Sequence, residues 1–364
     1  MTNPLPRPTY LKTAHGDVRF PGFMPDGTYG YVRSASAEDL RAVGIPALMM
    51  NSFHLMQKPG SSTVQALGGL HKMADWHGPL FTDSGGFQAY SLIRQNPKFG
   101  RMDERGVTFT PEGKARKFQL TPEKSIQLQL AYGSDVLFCL DDCTHADAPR
   151  SEQELSVERT IQWAKRARKE FDKLRNKNDS EMGPKLFAVI QGGREFDLRQ
   201  RCAEELLAIG FDGFGFGGWP LDGEGQLLHE VLELVRGLVP LHYPIHALGI
   251  GHPHNVLAGY RAGYDLFDCA MPTRDARHGR LYSFANMDLT GEWLRYLYIQ
   301  DEHFVKMNQP LWQGCDCPLC ANYSAGYLHH LFRMGDPLFS RFATLHNLRF
   351  MVRLTEMIRE AAHA

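Results

Sequence analysis

The chain has 364 residues, of which 43% are hydrophobic and 22% are charged. This balance is that of an ordinary globular protein, and it excludes a disordered or fibrous chain. Lys and Arg number 40 against 41 Asp and Glu, which gives a formal net charge of −1. Such neutrality excludes a generally basic nucleic-acid binder, so any contact with RNA or DNA must come from a local basic patch.

Neither a membrane span nor a secretory signal stands out in the sequence. No apolar run approaches the ~20 residues that a span needs, and the opening Met-Thr-Asn-Pro lacks a basic segment followed by an apolar one. The 7 cysteines are too few and too unevenly placed for a disulfide scaffold. We therefore expect a cytoplasmic protein that does not contact a membrane.

Short apolar runs alternate with amphipathic stretches along most of the chain. The runs predicted to be strands are residues 22–24, 47–50, 80–82, 136–140, 186–190, 213–216, 245–248 and 265–267. Most are continuously apolar, as strands buried on both faces should be. Eight such strands with helices between them predict an α/β fold, a (β/α)₈ TIM barrel. A doubly wound sheet is the alternative, but it usually has fewer strands.

Several helix boundaries have their own signals. Ser36 to Asp39 predicts a helix start, Gly44 its end, and Thr121 followed by Pro122 another start. Periodic patterns predict further helices at 151–173 and 255–263, whereas 85–121 is poorly periodic and is predicted to be an insertion in a barrel loop.

The pattern changes near Trp312 to a cysteine cluster followed by two helices. We therefore predict a barrel domain with insertions at 1–311 and a zinc-binding helical subdomain at 312–364.

A metal site is predicted from Cys315, Cys317 and Cys320, whose spacing is C-x-C-x₂-C. Three thiolates and one imidazole complete a tetrahedral zinc shell, and a closed shell of four protein ligands is structural rather than catalytic. Spacing alone does not decide which histidine completes the shell. The candidates are His329, His330 and His346.

Polar residues follow several predicted strands and would converge at one mouth of a barrel, where catalytic residues lie. Asp83, Asp141 and Asp268 are the carboxylates among them, and paired glycines follow other strands. Carboxylates around one mouth suit work at a glycosidic carbon, one as nucleophile and another as acid or base. A single Asp after a strand is more often a loop cap, and on these residues alone a glycosidase is a fair rival.

Three arginines follow the eighth predicted strand within seven residues, at Arg274, Arg277 and Arg280. On a loop beside the carboxylates they could hold phosphates. A solvated arginine loop is the other interpretation that their charge allows.

At this point the motifs resemble those of a known family, tRNA-guanine transglycosylase. In chain order the motifs are Met24-Pro-Asp-Gly-Thr-Tyr29, Asn51-Ser-Phe-His-Leu55, Thr82-Asp-Ser-Gly-Gly-Phe-Gln88, Asp141-Asp-Cys143, Gln191-Gly-Gly193, Phe267-Asp-Cys269, Pro272-Thr-Arg274 and the cysteine cluster followed by His346-Asn347. The similarity covers nearly the whole chain and is closest to the bacterial form, a single catalytic chain without an added RNA-binding domain.

The resemblance implies a TIM barrel with a zinc subdomain that exchanges guanine at wobble position 34 of tRNA for a 7-deazaguanine, in bacteria usually preQ1, in queuosine biosynthesis. The substrates would be the tRNA anticodon loop and the free base, with no redox or nucleotide cofactor. By the same resemblance, Asp268 would attack C1′ of the ribose and Asp83 would be the acid/base. Asn51 would orient Asp268, and His346 would be the fourth zinc ligand.

The resemblance also assigns the binding residues. Asp141 would bind the edge of the base, while Gln191 and the backbone of Gly218 would hold its carbonyl oxygen. Phe87, which is Tyr in many members, would stack on the base, and Leu248 would pack on the opposite side. The resemblance further implies that Arg274 and Arg277 bind the anticodon loop, and that the chain forms a homodimer through its C-terminal subdomain. The residues expected at that interface, on a helix beside the metal, are Tyr323, Tyr327, His330 and Phe332.

One loop departs from the family. After Gly218, bacterial members usually have Leu-Ala-Val-Gly-Glu-Gly, whereas this chain has a loop one residue longer that begins with Trp219 and contains Asp222. Because this loop lines the pocket around the substituent of the deazaguanine, the identity of the incoming base is open, with preQ1 favoured. Trp219 could instead pack outward against a neighbouring helix.

The alternatives are a queuine-specific salvage enzyme, a relative that inserts deazaguanine into another nucleic acid such as DNA, a noncatalytic RNA-binding subunit, and a TIM-barrel glycoside hydrolase. The three aspartates argue against the noncatalytic subunit.

Overall fold

The fold is taken from a computed structural model, which describes residues 6–96, 98–110, 117–175 and 182–363. The strands are, in chain order, β1 Tyr10–Thr13, β2 Gly16–Arg19, β3 Gly22–Pro25, β4 Leu48–Met50, β5 Leu80–Thr82, β6 Gly100–Asp103, β7 Gly106–Phe109, β8 Phe118–Leu120, β9 Val136–Phe138, β10 Lys185–Ile190, β11 Gly213–Phe216, β12 Ile245–Ala247, β13 Leu266–Cys269, β14 Arg280–Phe284 and β15 Leu294–Tyr298.

The α-helices are α1 Ala37–Ala42, α2 Ser52–Leu55, α3 Ser61–Ala66, α4 Gly69–Ala74, α5 Gly86–Gln95, α6 Pro122–Tyr132, α7 Arg150–Leu174, α8 Phe196–Ile209, α9 His229–Leu238, α10 Pro253–Arg261, α11 Met271–Arg277, α12 Pro318–Asn322, α13 Ala325–Met334 and α14 Pro337–His363. A π-helical turn covers Met56–Gly60 and a 3₁₀ turn covers Glu302–Phe304. No helix in the described ranges has both the length and the apolar character needed to cross a membrane.

Eight parallel strands form a nearly closed barrel, in the order β3-β13-β12-β11-β10-β9-β5-β4. Each of the eight predicted runs coincides with one of these strands, and helices lie between consecutive strands. A single parallel bridge between Asp26 and Met49 joins the two ends of the sheet. The predicted (β/α)₈ barrel is confirmed.

Alternate residues of the barrel strands point inward and form a core of their own, as the two-residue period of a strand requires. The inward residues include Met24, Ala47, Met49, Phe81, Val136, Phe138, Phe187, Val189 and Leu266. The remaining strand residues pack outward against the helices in a larger core. This alternation decides which side chains reach the mouth, because the next inward position beyond the core lies at the carboxyl end of each strand.

The predicted helix signals are confirmed where the structure describes them. Ser36 and Asp39 form a reciprocal capping box at the start of α1. Thr121 caps α6, with Pro122 in its first turn. The 85–121 insertion contains more regular structure than its weak periodicity indicates, since α5 and the antiparallel sheet β6-β7-β8 lie there.

The last helix, α14, is part of the barrel as well as of the C-terminal region. Its apolar residues from Leu345 to Ile358 belong to the larger core that surrounds the barrel. Asn347 accepts a hydrogen bond from the Tyr282 N–H at 3.0 Å and donates to the Pro272 carbonyl at 3.0 Å. Arg341 pairs with Asp39 of α1 at 2.7 Å. The C-terminal region is therefore joined to the barrel through its longest helix.

Candidate active site and metal centre

A cavity of about 430 Å³ opens at the carboxyl ends of the barrel strands. Five of the residues that line it lie at inward positions at or just beyond the ends of their strands: Asp26, Asn51, Asp83, Leu248 and Asp268. Each lies two residues beyond an inward residue of its own strand, so the alternation of the strands delivers all five to one mouth. The sequence pattern predicted this convergence for Asp83 and Asp268, the resemblance placed Asn51 and Leu248 in the same site, and Asp26 had been given no role.

Asp83 is held from three sides by hydrogen-bond donors. The Ser52 and Gly85 N–H groups donate to Oδ1 at 2.9 and 3.1 Å, and the Asn51 amide donates to Oδ2 at 2.5 Å. Asn51 Oδ1 in turn accepts the His54 N–H at 2.9 Å, which fixes the orientation of the amide. Asn51 therefore orients Asp83, and the expectation that it orients Asp268 is corrected.

The surroundings of Asp83 favour its protonated form. Burial, and after it the charges of Asp26 and Asp268, raise the pKa of Asp83 to about 8, although the Ser52 N–H opposes the shift. A carboxyl group with this pKa carries a proton at neutral pH. Asp83 is thus prepared to act as a general acid.

Asp268 is oriented by groups that the sequence analysis did not single out. His246 Nε2 donates to Asp268 Oδ1 at 2.9 Å, and the Gly249 N–H donates to the same oxygen at 3.0 Å. His246 is fully buried and points inward from β12. Its inward position in the predicted strand at 245–248 was the signal that could have identified it. Both bonds go to Oδ1, which leaves Oδ2 for the reacting carbon.

Asp141 and Gln191 form a hydrogen-bonded pair beside the pocket. Gln191 Nε2 donates to Asp141 Oδ2 at 2.7 Å, and Ser84 Oγ donates to Oδ1 at 3.3 Å. Burial raises the pKa of Asp141 to about 6. Gln191 Oε1 is buried and has no hydrogen-bond partner among the described residues, and Gly218 adjoins it with a φ of 85°. One free hydrogen on Nε2 and an unpaired Oε1 suit a ligand that has both acceptors and donors.

A buried arginine, Arg199 on α8, supports this part of the mouth. It is fully buried and donates to three carbonyls at the ends of β10 and β11. The acceptors are Gly193 O at 2.9 Å, Ile190 O at 2.5 Å and Gly217 O at 2.9 Å. Burial lowers the pKa of Arg199 to about 10, so it stays charged at neutral pH. A lone Arg in a helical pattern gave no sequence signal for this role.

Aromatic rings line the entrance. Phe87 lies in the first turn of α5 and is 40% exposed, and Trp219 is 41% exposed. The two rings stack with centroids 5.8 Å apart and an angle of 25° between their planes. Trp219 therefore lies at the mouth against Phe87, and Leu248 lines the same cavity. Asp222 is not among the residues that line the cavity, and its Oδ1 accepts the Glu224 and Gln226 N–H groups.

The three arginines after the eighth barrel strand have different surroundings, and two of them lie on helix α11 rather than on a loop. Arg274 lines the cavity. Arg277 donates to the Thr273 carbonyl at 2.9 Å. Arg280 is paired with Asp275 at 2.6 Å, so its charge is already matched.

The four predicted metal ligands are brought together. The Sγ atoms of Cys315, Cys317 and Cys320 lie 3.6, 3.6 and 3.4 Å from His346 Nδ1. In tetrahedral zinc sites, Zn–S and Zn–N bonds of about 2.3 and 2.05 Å separate sulfur from nitrogen by about 3.5 Å. His346 Nε2 lies 2.8 Å from the Tyr282 carbonyl, which fixes the tautomer with Nδ1 free to bind a metal. His346 is thus chosen over His329, whose Nδ1 contacts the Ile299 carbonyl.

A second group of possible ligands lies away from the pocket, at His15, His71 and Asp135. The two imidazole rings are stacked 3.7 Å apart with 21° between their planes. Lone pairs of imidazole nitrogens lie in the ring plane, so near-parallel rings do not direct them at one ion. Asp135 instead accepts from His15 at 2.8 Å and from the Leu80 N–H at 2.8 Å. This group is a hydrogen-bonded link rather than a metal site.

Comparison with known proteins identifies the family of the chain. The sequence profile of the family described as queuine tRNA-ribosyltransferase matches residues 4–364. A queuine tRNA-ribosyltransferase of Mannheimia succiniciproducens is 39% identical over 344 residues, which cover 94% of this chain and 86% of the relative. Those of Vibrio parahaemolyticus and Aliivibrio salmonicida are 39% and 40% identical over 351 residues, which cover 96% of this chain and 88% of each relative. The chain therefore belongs to the queuine tRNA-ribosyltransferase family.

Proposed function

We propose that this chain exchanges guanine at wobble position 34 of tRNA for a 7-deazaguanine through a covalent intermediate on Asp268. Its family makes it a tRNA-guanine transglycosylase of queuosine biosynthesis, a pentosyltransferase. The observation that supports the covalent route is the pairing of two different carboxyl groups in one cavity. Asp268 is held by donors on Oδ1, and Asp83 is kept protonated.

The proposed reaction has two displacements at C1′. Asp268 Oδ2 forms a bond to C1′ as the bond to N9 of guanine breaks, and Asp83 gives its proton to the leaving base. The incoming base then loses its N9 proton to the Asp83 carboxylate, attacks C1′ and releases Asp268. A cavity that admits a base and excludes water favours exchange over hydrolysis, which distinguishes this function from a glycoside hydrolase.

The base would be held by the polar pair and the aromatic wall. Asp141 accepts from the N–H groups at the base edge, while Gln191 Nε2 and the Gly218 N–H donate to the carbonyl oxygen. Phe87 and Leu248 would cover the two faces of the base. Two inward-facing glycines support this arrangement. A Cβ added to Gly215 would come within 2.9 Å of Leu248, and one added to Gly217 would come within 2.6 Å of Gln191. These glycines make space at the wall of the cavity.

The proposed partner is the tRNA anticodon loop, whose unpaired bases can leave the stack at low cost. Arg274 and Arg277 on α11 would contact its phosphates. Burial, and after it the charge of nearby Arg33, lowers the pKa of Arg277, so Arg33 adds positive charge to this region. The second substrate is the free base, for which we favour preQ1, with queuine salvage as the alternative. We place this reaction in the cytoplasm.

The cysteine cluster is proposed to hold one structural Zn²⁺. Its support is the agreement of the sulfur–nitrogen distances with a tetrahedral zinc shell and the fixed tautomer of His346. Bound zinc would tie Cys315, Cys317 and Cys320 to α14 and stabilise the fold. We retain the division into a catalytic domain at 1–311 and a zinc-binding subdomain at 312–364 as a proposal, with α14 shared between their cores.

The covalent route is tested by Asp268→Asn, since an amide is a poor nucleophile at carbon. Wild-type protein with an anticodon stem-loop should give a protein–RNA band that survives denaturation, and the variant should give none while it still binds the RNA. Incorporation of labelled guanine into the RNA separates exchange from hydrolysis. Wild-type exchange rates in the variant would contradict the assignment. Offering guanine, preQ1, preQ0 and queuine separately then identifies the accepted base.

We further propose a homodimer formed through the C-terminal region. Tyr323 and Tyr327 are 41% and 38% exposed and stack at 5.2 Å, and His330 is also exposed. Two details differ from the expectation. Tyr323 follows α12 rather than lying on α13, and Phe332 packs against Phe339 within the subdomain.

Sedimentation at micromolar concentration should show a dimer, and Tyr327→Ala should shift it toward monomer by removing the apolar area of one exposed ring. The matched control Tyr298→Ala removes an equally exposed ring, 42% exposed, from β15 and should leave the dimer intact. A monomeric wild type would contradict this proposal.

A further inference from the structure

Asp26 is a third carboxylate of the catalytic cavity to which the exchange chemistry gives no task. It follows β3, lines the cavity with Asp83 and Asp268, and is half-buried. The parallel bridge from Asp26 to Met49 joins the ends of the barrel sheet, and the Gly27 N–H donates to the Met49 carbonyl at 2.7 Å. Its backbone is therefore fixed by the barrel itself.

The direction of the Asp26 side chain follows from strand register. Asp268 on β13 pairs with Met24 on β3, and paired residues of neighbouring strands point to the same face. Asp26 lies two residues beyond Met24, so it too points into the mouth. Along the sheet, Asp26 stands between the strand of Asp268 on one side and the strands of Asn51 and Asp83 on the other. It thus adjoins the place where the ribose must lie for Asp268 to reach C1′.

The carboxylate is oriented but retains capacity to accept. Thr28 Oγ1 donates to Asp26 Oδ2 at 2.6 Å. A carboxylate has lone pairs for about four hydrogen bonds, so further donors can bind. Burial, and then the charge of Asp268, raises the pKa of Asp26, while the charge of Arg33 opposes the shift. A third carboxyl group beside two catalytic ones is costly, and such costs are concentrated at functional sites.

Resting on the exchange reaction above, we propose that Asp26 accepts a hydrogen bond from a ribose 2′-hydroxyl of the RNA strand where it enters the cavity. The hydroxyl lies on the carbon next to C1′ in the exchanged nucleotide and recurs on each neighbouring nucleotide. Hydrogen bonds to the hydroxyl beside the reacting carbon strengthen as positive charge develops on the sugar. The 2′-hydroxyl is also the group that distinguishes RNA from DNA. Asp26 thereby selects RNA as the substrate.

The test uses four anticodon stem-loops: an all-ribose RNA, and three with a single 2′-deoxy substitution at the exchanged nucleotide or at either neighbour. Wild type and Asp26→Asn are compared by kcat/KM for guanine exchange and by equilibrium RNA binding. Asn retains an oxygen that can accept from Thr28, so the turn is preserved. Asp17→Asn removes the same charge from exposed strand β2 and serves as the control.

We expect wild type to favour the all-ribose RNA over one of the deoxy substrates by roughly 10- to 100-fold, the range for a hydrogen bond to a charged group. In Asp26→Asn this ratio should fall to about 2 at that position only. The control should keep the wild-type ratio.

The proposal is overturned if wild type does not discriminate at any of the three positions, or if Asp26→Asn keeps the wild-type ratios among the four RNAs. If wild type incorporates no guanine into the all-ribose RNA, the exchange reaction fails. In that case, the ratio of equilibrium binding between the all-ribose RNA and each deoxy RNA, compared in wild type and Asp26→Asn, still decides the role of Asp26.

Discussion

At the scale of single residues, the surroundings of two aspartates at equivalent positions of their strands suit the opposite tasks that we propose for them. Asp268 accepts hydrogen bonds from His246 and the Gly249 N–H on one oxygen, which orients the carboxylate. At Asp83, burial and after it the charges of Asp26 and Asp268 raise the pKa and favour the neutral form. The difference between an acid and a nucleophile thus resides in the neighbours.

This arrangement predicts a bell-shaped pH dependence of kcat/KM for tRNA. Asp83 must be protonated to donate to the leaving base, and its raised pKa of about 8 means that activity falls as the pH rises through about 8. Asp141 must be charged to accept from the base, and with its pKa raised to about 6 activity falls as the pH drops below about 6. Rates measured between pH 5 and 10 test both limbs.

A variant assigns the alkaline limb to Asp83. Asp26→Asn removes one of the charges that raise the Asp83 pKa, so the alkaline limb should move to lower pH. The acid limb should stay in place, because Asp26 is not among the groups that shift Asp141. Constant activity from pH 7 to 10 in wild type would show that Asp83 is not the acid.

At the scale of elements, the loop between β11 and α9 is the one that the sequence analysis singled out as a departure from the family resemblance. Its internal hydrogen bonds, from the Glu224 and Gln226 N–H groups to Asp222, make it a defined turn. Trp219 at its start stacks on Phe87, which itself opens α5. The loop after β11 and the helix after β5 thus share one wall of the cavity.

We predict from this contact that Trp219 influences which deazaguanine is accepted. A rigid ring of this size limits the space beside Phe87, whereas Asp222 lies outside the residues that line the cavity. Trp219→Leu should change the relative kcat/KM of preQ1, preQ0 and queuine by roughly 10-fold, the effect of reshaping an apolar wall.

A competition assay with labelled guanine in the RNA measures the ranking of the three bases. Leu241→Ala is a suitable control, because Leu241 is exposed, at 52%, outside the residues that line the cavity. Identical rankings in wild type and Trp219→Leu would show that this loop does not select the base.

At the scale of the whole molecule, the sequence predicted the features that follow from the repeated strand pattern. It predicted fewer of the contacts that depend on packing between distant elements. Eight apolar runs and their polar ends predicted the barrel and placed Asp83 and Asp268 at its mouth. The alternation of inward and outward residues along the strands would also have predicted that Asp26 and His246 point into the barrel mouth. Arg199 could not be found in this way, because its role depends on three carbonyls of other elements. The predicted partner of Asn51, Asp268, was wrong because the contact that Asn51 makes with Asp83 also depends on packing between elements.

The metal centre and the barrel should lose stability together. His346 lies on α14, and the apolar residues around it belong to the core that surrounds the barrel. Zinc binding contributes on the order of 10 kcal/mol in isolated zinc peptides, and even half of this would lower the melting temperature by about 10 °C at ~2 °C per kcal/mol. Wild type should contain about one zinc per chain, as a four-ligand site requires. Cys317→Ala should lose the metal and show one lowered unfolding transition.

The matched control is Cys202→Ala, since Cys202 is equally buried but lies on α8 away from the cluster. It should keep its zinc and lose only the stability that a small cavity and the lost hydrogen bond from the buried Gln191 N–H cost, about 2–3 kcal/mol. Calorimetry and metal analysis on both variants separate the two effects. If chelated wild-type protein unfolds at the same temperature as untreated protein, the cluster does not stabilise the fold. If Cys317→Ala instead unfolds in two steps with the barrel transition unchanged, α14 does not transmit the effect of the metal, and the cores of the barrel and the C-terminal region are independent.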